Sequence, residues 1–166
     1  MNGKAFQDYY SDNFSHCYGC GRLNEQGLKI KSYWDGDESV CTFKPQPCQI
    51  AIPGYVYGGL IASIIDCHCI GTASAAAYRA EGRELGSKPP LRFLTAALKV
   101  DYISPTPLGV ILTVRARAKE VKGRKVVVTA ELWADGEVRA RGEVVAVKVP
   151  EYMTEVINKN VKDNKR

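Results

Sequence analysis

Residues 58–78 form an apolar tract broken by two ionisable side chains, Asp66 and His68. A tract this long and apolar is either a membrane span or a helix buried in a core. An ionisable residue at mid-membrane is costly, so the tract reads as one buried helix from Gly58 to about Arg79. No membrane span is expected. Leu60, Ile61, Ala62, Ile64, Ile65, Ile70, Ala73, Ala75 and Ala76 lie all around its axis. A helix apolar on every side must be covered on every side. One curved sheet wraps such a helix only partly, and a second subunit is the simplest cover for the rest. A homo-oligomer is therefore expected.

The remainder of the chain supplies the sheet. Residues 28–33 and 38–43 read as strands around the turn Asp35-Gly36-Asp37, and residues 44–54 as a Pro-bearing loop. After a polar linker at 81–90 come strands at 94–103, 110–121, 124–134 and 137–149. In the second of these, Val110, Leu112, Val114, Ala116 and Ala118 alternate with polar residues, the period-2 pattern of a half-buried strand. Asp135-Gly136 is a strong hairpin signal. One long helix set before an antiparallel meander predicts an α+β fold with the helix on one sheet face. Residues 1–27 read as an irregular N-terminal extension with a short helix near residues 6–10. Residues 151–166 read as a polar, solvated C-terminal tail, so that 1–166 is one domain.

Composition narrows the classes further. At 45% hydrophobic and 25% charged, the chain is too apolar to be disordered. The net charge of +5 favours an anionic ligand. No aromatic-and-basic stripe marks a nucleic-acid surface, so no nucleic-acid partner is expected. Residues 1–10 lack the pattern of a secretory signal. With six cysteines, that points to a reduced, cytoplasmic setting. Cys17 and Cys20 form a C-x-x-C, but a zinc knuckle needs a second pair of similar spacing. Cys41 and Cys48 are spaced too widely, and Cys67 and Cys69 project about 200° apart on a helix. The motif therefore reads as a tight glycine-containing turn, and no metal is expected.

Chemistry concentrates at the long helix. Asp66 sits among isoleucines and alanines, where a carboxylate is expensive unless it is paired or faces a cleft. Just upstream, Gly54-Tyr55-Val56-Tyr57-Gly58-Gly59 enters the helix. Glycines there let a ligand approach the backbone, and the free N–H groups of a helix start favour developing negative charge. Gly59 and Asp66, seven residues apart, share a face and would address one substrate. Ser63 lies on that face, either as a nucleophile or bonded back to the helix. His68 is about 200° around from Asp66, so it reads as a packed histidine rather than a dyad partner. That phase also argues against a hydratase.

These residues resemble a known family, the hotdog-fold thioesterases of the phenylacetate-type acyl-CoA branch. Three stretches carry the likeness: residues 17–21 through 27–29, residues 54–66, and residues 100–105 with 107–109. Together they lie within residues 17–148, and the helix stretch is the most specific. One position departs, because the family reads His-Gly-Gly at the helix start and Tyr57 stands here in place of the histidine.

The resemblance implies a curved antiparallel sheet around one central helix, paired into dimers or tetramers with sites at the dimer interface. It implies acyl-CoA thioester hydrolysis without metal or redox cofactor. Asp66 would be the general base or nucleophile, and the Gly59 N–H would stabilise the oxyanion. Tyr57, Gly58 and Ser63 would line the substrate, and Lys122 and Arg124 would meet the CoA phosphates. Tyr57 also raises a second reading, a non-catalytic acyl-CoA sensor on the same fold.

Overall fold

The protein is described here from a computed structural model that covers residues 3–163. A six-stranded antiparallel sheet forms from β1 (Tyr33–Asp35), β2 (Glu38–Phe43), β5 (Phe93–Tyr102), β6 (Leu112–Lys122), β7 (Lys125–Ala134) and β8 (Glu137–Lys148). Its strand order is β1-β2-β6-β7-β8-β5. A separate two-stranded piece pairs β3 (Ile50–Ile52) with β4 (Tyr55–Val56). The helix α1 (Gly58–Ala80) lies against β5, β6, β7 and β8. This is the hotdog arrangement, and the meander matches the sequence reading to within two residues at each strand end.

The alternation seen in the sequence builds the core. Leu112, Val114 and Ala116 of β6, Val126 and Val128 of β7, and Val144 and Ala146 of β8 are buried with Ile64 and Ile65 of α1. Fully burying such side chains contributes about 1.5–3 kcal/mol each. The helix packs tightly on the sheet at Gly142, where an added Cβ would lie 2.4 Å from Ile65 Cγ2. Although α1 is long and apolar enough to cross a membrane, it is mostly buried inside this fold.

The cover on the far side of α1 differs in part from the sequence expectation. Much of it is the N-terminal segment. Gln7 packs at Gly71, Ser32 reaches His68, and the loop at residues 17–21 meets Cys67. What stays half-buried is a single stripe, Gly58, Gly59, Ala62, Ser63, Asp66 and Ile70.

Three local expectations are corrected. Residues 28–32 are not a strand, because their backbone is used elsewhere: Leu28 N–H donates to Tyr18 O, Ile30 N–H to Gly19 O and Ser32 N–H to Gln7 Oε1. Lys29 also has φ of 57°, which breaks an extended run. The Pro-bearing loop at 44–54 contains β3. The tail is not simply solvated coil: α2 (Glu151–Asp163) forms, with Asn13 donating to Asn158. Residues 1–2 and 164–166, including Lys165 and Arg166 of that tail, lie outside the described residues. The short N-terminal helix is a 3-10 turn at Phe6–Tyr9.

Candidate active site

Asp66 sits in the middle of the open stripe of α1. The Thr95 hydroxyl of β5 donates to its Oδ1 at 2.6 Å. Both alternatives raised by the sequence therefore hold, since the carboxylate has a partner and also lines a cleft of about 220 Å³. The cleft wall is largely apolar, with Tyr10, Phe14, Ile70, Phe93 and Leu94. Burial pushes the Asp66 carboxyl above its ordinary range, the Thr95 hydrogen bond opposes this, and the neighbouring Cys17 adds to it. Thr95 carried no signal in the sequence, because only the fold brings it to a residue 29 positions away.

The start of α1 is a second polar feature. Tyr57 is its N-cap, and the first N–H groups of a helix have no partner within it. The hydroxyl of Tyr102, at the end of β5, donates to Gly58 O at 2.8 Å and pins this end. The Tyr57 ring folds over Gly59, where an added Cβ would lie 2.4 Å from ring atom Cε1. A larger residue at 59 would displace that ring. Ser63 donates to Gly59 O at 2.8 Å, which is the bonded-back arrangement rather than that of a free nucleophile.

Gly59 and Asp66 share a face, yet seven residues at about 1.5 Å each separate them by roughly 10 Å along the axis.

His68 points away from the cleft. Its Nδ1 lies 2.8 Å from Ser32 Oγ and its Nε2 3.2 Å from Ser39 Oγ. Burial lowers its pKa to about 4, so the ring is neutral and structural. Lys122 and Arg124 are exposed in the β6–β7 turn. The neighbouring Lys125 pairs with Val147, which in turn pairs with Leu94, so this turn lies at the same end of the sheet as Thr95. Neither basic residue is among the described lining of the cleft.

The sequence missed one cluster. Cys17 and Cys20 are joined by Cys67 of α1, and all three line the cleft beside Asp66. A C-x-x-C carries no local signal for a single thiol 50 residues away. The Cys20 and Cys67 thiols, with the backbone N–H groups of Cys20 and Gly19, donate toward Cys17 and hold its thiol well below the ordinary range. The same contacts raise Cys20 and Cys67.

An antiparallel sheet around one helix, with a carboxylate at mid-helix and a glycine pair at its start, defines a hotdog protein of the thioesterase type. The chain belongs to the thioesterase superfamily, whose family model matches residues 53–141. Acyl-coenzyme A thioesterase THEM4 of Xenopus laevis is 31% identical over 108 residues, which is 65% of this chain and 43% of that protein. The chain thus spans less than half the length of the curated relatives it matches. Among solved structures, the thioesterase superfamily protein of Shewanella loihica PV-4 is 48% identical with a TM-score of 0.65, covering 85% of this chain and 100% of that one. The PaaI protein of the E. coli phenylacetic acid degradation operon shares the fold, with a TM-score of 0.60 at 16% identity, covering 74% and 81%.

Proposed function

We propose that this chain hydrolyses the thioester of an acyl-coenzyme A at a site shared between two copies of itself. The observation that carries the reading is Asp66, half-buried on the open stripe of α1, oriented by Thr95 and facing an apolar cleft. The acyl group occupies that cleft. Asp66 activates water at the thioester carbonyl, or attacks it directly. The Gly59 N–H stabilises the oxyanion. Because Gly59 and Asp66 of one chain stand roughly 10 Å apart, each site pairs Asp66 of one copy with the helix start of its partner. Gly58 and Tyr57 border the carbonyl, and Lys122 and Arg124 attract the CoA phosphates. The Xenopus relative, named as an acyl-coenzyme A thioesterase, supports this substrate class.

The oligomer is favoured by β5, an edge strand of ten residues with Leu94, Leu98 and Tyr102 exposed. An unpaired edge of that kind is a liability unless covered. Six unpaired cysteines favour a reducing, cytoplasmic setting.

One observation favours a second reading. The Tyr57 ring over Gly59 lies where a carbonyl oxygen would approach the backbone, as suits a protein that binds acyl-CoA without turning it over. A thiol-release assay across short, long and aromatic acyl-CoAs separates the two. Turnover supports the hydrolase, and tight binding without thiol release supports the sensor.

A further inference from the structure

We propose that Cys17, Cys20 and Cys67 bind a zinc-type thiophilic cation whose fourth coordination position opens into the cleft beside Asp66. The three sulfur atoms lie within 4.8 Å of one another. Those of Cys17 and Cys67 are 3.6 Å apart. Tetrahedral zinc with Zn–S bonds of about 2.3 Å sets neighbouring sulfurs roughly 3.8 Å apart. The pair already stands near the spacing an ion requires.

The loop at residues 17–21 closes around the Cys67 thiol. A Cβ on Gly19 would lie 2.1 Å from Cys67 Sγ, so glycine is what admits the helix thiol into the loop. The loop is anchored by Gly21 N–H to Cys17 O, Leu28 N–H to Tyr18 O and Ile30 N–H to Gly19 O. Two corners of the site thus rest on a pinned turn and the third on α1. All three cysteines line the cleft, which is the side from which a fourth ligand would enter. Three thiolates around a divalent ion leave one net negative charge, against two positive charges for the bare ion, which suits a half-buried position. This inference stands on the sulfur geometry and does not require Asp66 to act on a thioester.

The test measures metal directly. The full chain is purified under reducing conditions without chelator and analysed for zinc. Chelator-stripped protein is then titrated with Co2+. The expected results are about one zinc per chain and thiolate-to-cobalt charge-transfer bands. Cys67→Ser and, separately, Cys17→Ser should lower bound metal roughly tenfold or more. Cys48→Ser, an exposed cysteine outside the cluster, should leave it unchanged. Cys17 is also exposed, so its variant keeps loss of metal distinct from loss of fold, and circular dichroism checks this. Reduced protein with neither zinc nor a cobalt–thiolate band would overturn the proposal. So would equal metal loss in Cys48→Ser, or a freshly isolated chain lighter by two hydrogens through a Cys17–Cys67 disulfide.

Discussion

The Thr95 hydroxyl donates a 2.6 Å hydrogen bond to Asp66 Oδ1 from the adjoining edge strand. It holds the carboxylate at the wall of the cleft. Hydrogen bonds to charged groups contribute about 1.5–3 kcal/mol. Thr95→Val should therefore lower acyl-CoA turnover by roughly tenfold or more, with Thr95→Ser recovering most of it. Steady-state thiol release with both variants checks this. Equal rates in Thr95→Val and wild type would remove Thr95 from the mechanism.

A second prediction concerns His68 and pH. Burial lowers its folded pKa from 6.5 to about 4. Between those values the unfolded chain takes up a proton that the folded chain refuses. The stabilisation is complete above about pH 6.5, is lost progressively down to about pH 4, and falls no further below that. Thermal melts at pH 7 and pH 5 should show a larger drop for wild type than for His68→Gln. Identical drops would mean that the ring is not held neutral in the fold.

Gly142 of β8 packs directly against Ile65 of α1. Gly142→Ala places a methyl group 2.4 Å from a side chain that is fully buried. Overpacking of this kind costs typically 1–3 kcal/mol. Urea denaturation should show a lowered midpoint with an unchanged slope, and an unchanged midpoint would mean that Ile65 has room to move.

The legible parts of the fold were those written in local periodicity. The helix was visible as a long apolar run, and β6 to β8 as alternation ended by Lys122-Gly123 and Asp135-Gly136. Asp66 stood out because a carboxylate in that company is expensive. Long-range partners were hidden. Nothing near Asp66 in sequence pointed to Thr95, and nothing near the C-x-x-C pointed to Cys67. Leu28 and Ile30 looked like strand residues, but their N–H groups had already been taken by the loop at residues 17–21. The shared face of Gly59 and Asp66 was readable from phase alone; their separation needed the rise per residue as well.

The oligomer can be tested on its own. Light scattering at micromolar concentration should give a multiple of the 18.3 kDa chain mass. Mixing an Asp66→Asn chain with a Gly59→Val chain should restore part of the activity that each lacks, because one of the two shared sites is then intact. A stable 18.3 kDa monomer with full turnover would contradict a shared site.

The most direct measurement is Asp66→Asn, which keeps the volume and removes the charge. Its turnover and melting temperature are recorded together. The expected outcome is a fall in acyl-CoA hydrolysis of roughly 10²-fold or more, with a melting temperature that holds or rises because a half-buried charge is gone. A variant that melts early yet hydrolyses at the wild-type rate would show that Asp66 holds α1 in place and that the chemistry lies elsewhere.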